Sequence, residues 1–303
     1  MNAPIALFCY RRPEHLRRTL SALAENNGAS DHDVVVFCDG AAKSEQVEPV
    51  AAVRRVLEEW RERSVFRSFT IDAQTVNLGL RRSVVRGVGR LCDEAGSVIV
   101  VEDDLVTSPY FLRYCQDGLQ TYAANESVAS IHGYSYPVTE PLPETFFLRG
   151  ADCWGWATWK RAWHHYCDDA GKLRQEIIRN RSGKQFDLDG AYGYLQMLKN
   201  AESGRVDSWA VRWHASAYLN NMYTLHPGRS LVQNIGCDDS GTHCGPTEKY
   251  TGALAENRID VQSQAVAESS VARAAIIRYF RRTQPCKSEN LLSRGWQWIK
   301  RNS

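Results

Sequence analysis

An alternation in the first 124 residues constrains this chain more than any other feature. Short apolar runs at residues 5–9, 34–38, 66–71 and 97–101 each precede a longer segment with apolar residues three or four apart. The runs are rich in Val, Ile and Phe, which suits strands packed on both faces. The stripes that follow them (Leu16, Leu20, Leu23; Val50, Val53, Leu57, Trp60; Val84, Val88, Leu91; Leu112, Cys115, Leu119, Tyr122) have helical spacing. Strand and helix in this order predict an α/β fold, a parallel sheet with helices on both faces. Such sheets bind ligands outside the carboxyl ends of their strands. Here those ends carry Tyr10-Arg11-Arg12, Asp39-Gly40 and Glu102-Asp103-Asp104.

Three consecutive carboxylates at one strand end repel one another, so a cation or polar ligand is expected to share their site. Ser108-Pro109 directly afterwards predicts an N-cap and first helical position. Beyond residue 124 the pattern changes. Strands are expected at 128–132 and 145–148, helices over 168–205 and 209–222, and a Gly/Pro/Asn/Asp-rich loop over 224–252 with a strand near 230–234. Between them Trp154, Trp156, Trp159 and Trp163 cluster. Trp159 and Trp163 are expected in the core, while an indole of Trp154 or Trp156 would suit the apolar face of a sugar. His214 reads as a satisfied core histidine. From residue 271 basic residues surround an apolar stripe, which suits a helix on an anionic membrane surface or one docked on the protein. The organisation expected is a domain over 1–260, divided near 124, and a basic amphipathic extension over 261–303.

Composition narrows the partners. A net charge of +2 gives no footprint for nucleic acid. Nine cysteines, an odd number scattered through strands and helices, read as free thiols of a reducing compartment. Neither a leader-like start nor an apolar stretch near the roughly 20 residues of a spanning helix is evident. The expectation is a cytoplasmic protein, with the tail allowing contact with the inner face of the membrane.

The motif order then resembles the GT-A glycosyltransferases, those of bacterial family-2 type and, motif by motif, N-acetylglucosaminyltransferase I. The likeness runs from Pro4 to about His243. It is carried by Phe8-Cys9-Tyr10-Arg11, Phe37-Cys38-Asp39-Gly40, Asn77-Leu78-Gly79-Leu80, Val101-Glu102-Asp103-Asp104-Leu105, Trp154-Gly155-Trp156, Asp207-Ser208-Trp209 and Gly241-Thr242-His243. The resemblance implies a GT-A sheet and an inverting, metal-dependent transfer from a nucleotide-sugar, UDP-linked by preference, to a glycan or lipid-linked hydroxyl. It places Mn²⁺ or Mg²⁺ on Asp104, with Asp103 toward the ribose, Glu102 toward the donor sugar, Arg11 on the phosphates and Asp39 on a uracil-like base. His243 becomes a metal or phosphate contact, Asn77 a donor-pocket or capping residue, Trp154 and Trp156 the acceptor floor, and Asp207 the base.

Each assignment has a plainer alternative. Arg11 would also serve as a surface salt bridge, Asp39 as an Asx-turn with Gly40, Asp207 as a helix N-cap, and the 238–243 loop as a surface turn. Two other functions fit less well. A nucleotidyltransferase would carry a Gly-rich loop after its first strand, where Tyr10-Arg11-Arg12-Pro13 has no glycine. A non-catalytic sugar-binding subunit has no need of both the acid triplet and Asp207.

Overall fold

The computed structural model describes residues 2–238 and 247–283. The first half delivers the expected alternation: β1 (Ile5–Cys9), α1 (Pro13–Ala24), β2 (Asp33–Cys38), α2 (Val47–Glu62), β3 (Ser68–Ala73), α3 (Leu80–Ala95) and β4 (Ser97–Glu102). Then come β5 (Leu105–Thr107), α4 (Phe111–Thr121), β6 (Val128–His132), β7 (Thr145–Arg149), β8 (Trp156–Trp159) and the short α5 (Lys160–Trp163). Helices α6 (Ala170–Arg179), α7 (Gly183–Phe186), α8 (Tyr194–Glu202) and α9 (Trp209–Leu219) precede β9 (Tyr223–Pro227), β10 (Val232–Asn234) and α10 (Ser270–Thr283).

One eight-stranded sheet in the order β3-β2-β1-β4-β8-β6-β9-β7 organises the molecule. Strands β3, β2, β1 and β4 pair in parallel, as do β6 and β9. β8 runs antiparallel between β4 and β6, and β7 closes the edge antiparallel to β9. The result is a mostly parallel α/β sheet flanked by helices, a Rossmann-like arrangement. All five residues of β1 are buried, because β2 and β4 flank it and helices cover it. The stripes read from spacing are the faces that α1, α2 and α3 bury.

Several local expectations are corrected. β3 starts at Ser68, two residues late, since Phe66 turns into the core and stacks on Phe69 at 6.0 Å. α4 begins at Phe111, its first turn capped not by Ser108 but by Asn26 of the loop after α1, whose Oδ1 accepts from Leu112 N–H at 2.9 Å. The Ser108 hydroxyl instead donates to the Ala255 carbonyl at 2.9 Å, which ties the later loop to the sheet. Strands β8 and β9 were not expected at all. Their sequences, Trp-Ala-Thr-Trp and Tyr-Thr-Leu-His-Pro, are too short and too rich in aromatic or turn residues to show a period of two.

The tail also departs from the membrane expectation. Ala272, Ala275, Ile276, Ile277, Tyr279 and Phe280 of α10 are buried, in one cluster with Phe146 of β7. Arg273 pairs with Asp189 at 2.7 Å and Arg278 with Glu140 at 2.7 Å. The apolar face of residues 271–283 is therefore spent on the protein itself. Leu291, Leu292, Trp296 and the basic residues around them lie outside the described residues. No described helix is long and apolar enough to cross a membrane.

Candidate active site

The carboxyl ends of β1, β2 and β4 open into a cleft, as the sheet topology requires. At the end of β4, Glu102 and the mostly buried Asp103 and Asp104 come together. The cation among them is Arg12. Arg12 caps α1 just ahead of Pro13, which is pre-organised for the first helical position. From there one guanidinium nitrogen donates to Asp103 Oδ1 at 2.5 Å and to Asp104 Oδ2 at 2.8 Å. Asp103 is fixed further by the Tyr10 backbone N–H at 3.2 Å. Arg11, expected on the phosphates, is exposed on the rim, its guanidinium 5.9 Å from the centre of the Tyr10 ring. Two adjacent arginines past a strand end offer no periodicity to say which turns inward, so spacing alone could not choose Arg12.

Electrostatics make this a strained cluster. Burial pushes the Glu102 carboxyl up to about 8, and the charges of Asp104 and Asp103 add to the rise. Burial raises Asp103 too, despite the pull of Arg12. One guanidinium does not balance three carboxylates. The hard oxygens of Asp104 and Glu102 therefore fit a divalent cation, whose charge would relieve the excess. Among the described residues no group of three or more His, Cys, Asp and Glu is arranged to hold a metal. A cation here would take one or two carboxylates and complete its shell with water or phosphate. His243, the other expected ligand, lies outside the described residues.

The strand pair β5–β10 brings the chain back over the acids, with the Ile235 N–H donating to the Asp104 carbonyl at 2.8 Å. Gly236 makes this approach feasible. A Cβ there would stand 2.2 Å from Asp104 Oδ2 and 2.8 Å from Arg12 Nη1, well inside contact distance.

Asp39 is buried at the end of β2, where its carboxylate is fully engaged. Oδ1 accepts from the N–H groups of Gly40 and Leu78, both at 2.8 Å, and Oδ2 from Gly79 N–H at 2.9 Å and Asn77 Nδ2 at 3.0 Å. Four donors use the whole lone-pair capacity of a carboxylate. Asp39 and Asn77 thus act together to hold the 77–79 loop against β2 at the start of α3. A base N–H would have to displace one of these bonds. We expect Asp39→Ala to cost about 2 kcal/mol in urea unfolding, because the released donors lose a charged acceptor but lie near enough to solvent to find water. A loss below 0.5 kcal/mol would mean that the loop holds itself.

Two cavities flank the acid cluster. The larger, about 530 Å³, lies between the ends of β1 and β2 and the start of α3, and its walls include Arg11, Asp39, Asn77, Glu102, Asp103 and Asp207. The smaller, about 300 Å³, is walled by Asp104, Asp152, Trp154, Tyr136, Tyr192 and Tyr194 among others. Arg12, Leu80 and Glu102 border both.

Asp207 is an exposed residue ahead of α9. The helix is capped by Ser208, whose hydroxyl accepts from Val211 N–H at 3.4 Å. Asp207 is ion-paired with Arg81 of α3, whose other arm holds Asp168. Trp156, expected as acceptor floor, is fully buried and stacked on Trp209 at 5.4 Å, with Trp163 and Trp213 beside it. A ring with no accessible face cannot receive a sugar, so that assignment is corrected. Trp154 does line the smaller cavity. His214 bonds the Ala151 carbonyl at 2.7 Å and stacks on Tyr194 at 4.2 Å, yet it is half-buried and borders the smaller cavity, so it is not a core histidine.

No protein-family model and no curated protein sequence matches the chain. Among solved structures it is similar to TarS of S. aureus (TM-score 0.32, 14% identity, covering 49% of this chain and 24% of that one). It is similar also to glucosyl-3-phosphoglycerate synthase of Mycobacterium tuberculosis, solved with Mn²⁺, UDP-glucose and phosphoglyceric acid (TM-score 0.29, 11% identity, 52% and 57% covered). A third is a mannose-1-phosphate geranyltransferase from Thermus thermophilus (TM-score 0.37, 11% identity, 75% and 77% covered). The chain thus spans about a quarter of TarS and little more than half of the synthase.

Proposed function

We propose that the chain is a glycosyltransferase that moves a sugar from a nucleotide-sugar to a hydroxyl of a glycan or lipid-linked acceptor. The observation that carries this reading is the meeting of two cavities at the acid cluster. A two-substrate transfer needs one compartment for each substrate and a shared wall where the reacting atoms meet. The larger cavity has the size and the mixed lining that suit a nucleoside diphosphate, with UDP the first to test. The smaller, with its aromatic walls, suits an acceptor sugar.

The residues then divide the work. Arg12 and Arg11 stand at the strand end where a pyrophosphate would lie, and a guanidinium fork matches phosphate oxygens. Glu102, on the wall of both cavities, would hold the donor sugar between them. Asp103 would face the ribose, and Asp39 with Asn77 would keep the loop over the base in place. Asp104 would carry Mn²⁺ or Mg²⁺, which, when bound, supplies Lewis-acid stabilisation of the leaving nucleoside diphosphate. A nucleotidyltransferase has less support, because nothing after β1 forms a glycine-rich phosphate cradle.

Thermal melts with UDP, GDP, CDP and dTDP, each with and without Mn²⁺, test the proposal. One of them should stabilise the protein only with metal, by roughly 2.7 kcal/mol at about 100 times its Kd. Asp104→Ala should abolish that shift. If none of the four moves the wild-type melt, the cluster is not a nucleotide-sugar site.

A further inference from the structure

We propose that Asp152, and not Asp207, is the general base that takes the acceptor proton. The inference rests on the glycosyl-transfer reading and adds to it a residue that the motif order did not indicate. Asp207 borders the larger cavity, while the acceptor-side cavity is bordered by its neighbour Ser208. Asp207 is also more than half exposed, and its carboxylate is already taken up by the ion pair with Arg81.

Among the described residues, the smaller cavity is lined by three carboxylates: Glu102, Asp104 and Asp152. The first two belong to the cluster at the donor side, where cation and phosphate charge must be balanced. Asp152 is on the wall formed between β7 and β8, beside Trp154 and Tyr194. Its orientation is fixed from two directions: Oδ1 accepts from Cys153 N–H at 2.8 Å and Oδ2 from the Tyr136 hydroxyl at 3.0 Å. Two of its four acceptor positions are thereby used, and two remain for a substrate hydroxyl. No Lys, Arg or His among the described residues forms a salt bridge with it, in contrast to Asp207, Asp168, Asp103 and Asp104. The result is a carboxylate held in place by neutral donors on an aromatic wall, facing a compartment that opens onto Glu102.

In the step this arrangement supports, the acceptor hydroxyl oxygen forms a bond to the anomeric carbon of the donor sugar. The bond from that carbon to the β-phosphate oxygen breaks, and its electron pair leaves on the nucleoside diphosphate. The hydroxyl proton passes to Asp152, which returns it to solvent after the product departs. Attack from the smaller cavity on a donor held from the larger one inverts the anomeric centre.

Nucleophiles that differ in their proton separate this role from others. UDP-glucose, GDP-mannose, CDP-glucose and dTDP-glucose are offered with Mn²⁺, and nucleoside diphosphate release is followed with water or with sodium azide as acceptor. Water must lose a proton to react, and azide has none to lose. Asp152→Asn should lower the water-dependent release at least about 100-fold, and leave the azide-dependent release within about threefold of wild type. Asp207→Asn should change water-dependent and azide-dependent release by the same factor, as the loss of a wall residue of the larger cavity would. Retention of the nucleoside-diphosphate melt shift by Asp152→Asn shows that it is folded. Water-dependent release at the wild-type rate in Asp152→Asn, or an equal fall with both nucleophiles while the melt shift is kept, overturns the role of Asp152 alone. Failure of the wild type to release any nucleoside diphosphate with either nucleophile overturns glycosyl transfer, and this assignment with it.

Discussion

Arg12→Met should cost about 4 kcal/mol of stability at pH 8, more than the loss of most single core side chains would. The guanidinium is 18% exposed and bonds Asp103 and Asp104, whose side chains are 5% and 15% exposed. Removing one partner of such a group leaves charge buried without compensation, which costs roughly 3–5 kcal/mol where measured. The pH dependence identifies the cause. Glu102 and Asp103 already have pKa values raised above their unfolded ones by burial, and loss of Arg12 raises both further. Acids with raised folded-state values bind more protons in the folded protein, so stability falls as pH rises between their unfolded and folded values. The deficit of Arg12→Met should therefore be largest at pH 8 and shrink toward pH 5, with Mn²⁺ restoring part of it at the higher pH. Urea unfolding of both proteins at the two pH values measures it. A deficit that is the same at pH 5 and 8 would point to lost packing, not to charge.

The second large effect lies at the other end of the pH range. His132 and His226 sit in the core with ring centroids 5.0 Å apart, and burial pushes both down to about 3. His132 Nε2 accepts the Trp154 backbone N–H at 3.1 Å, a bond only the neutral ring can make. For a histidine kept neutral by folding there is no penalty well above its unfolded value near 6.5. The penalty grows as pH falls below that value and levels off only below about 3. At pH 5 each should cost about 2 kcal/mol relative to pH 7.5. The pair together should cost about 4. Replacing His226 by Leu should roughly halve the slope of unfolding free energy against pH between 5 and 6.5. An unchanged slope would assign acid lability to other groups. Because Trp154 hangs on His132, acid should loosen the smaller cavity before the sheet fails.

Much of the first half was legible in the sequence for a physical reason. Parallel strands buried on both faces must be apolar throughout, and their helices must be apolar on one side, so both periods are written plainly through β1, β2, β4 and their helices, and are blurred only at the partly exposed edge strand β3. The acids, Asp39 and Asn77 followed from that frame, because topology alone sends strand ends to one edge. The second half was less legible. β8 is a central strand of two Trp, one Ala and one Thr, whose burial comes from Trp209 and Trp213 far along the chain. Nothing local distinguishes Trp156, inside that stack, from Trp154 at its edge. Asp152 looks like any loop aspartate until Tyr136, 16 residues away, is seen to donate to it. Arg11 and Arg12 both border the larger cavity, and only the turn of the chain after Cys9 sets Arg12 against the acids.

The placement of α10 has a practical consequence for anyone shortening the protein. Phe280 lies 5.0 Å from the Tyr136 ring and 4.6 Å from that of Tyr192, and the Tyr279 hydroxyl donates to the Lys249 carbonyl. The helix is thus the outer brace of the aromatic wall, and through Tyr136 it reaches Asp152. A boundary drawn at residue 260, where the composition changes, would leave β1 to β4 with their helices intact while the aromatic wall of the smaller cavity loses its backing. Such a fragment would keep a folded first half and yet a deformed cavity, so a cooperative melt alone would be a misleading sign of an intact site.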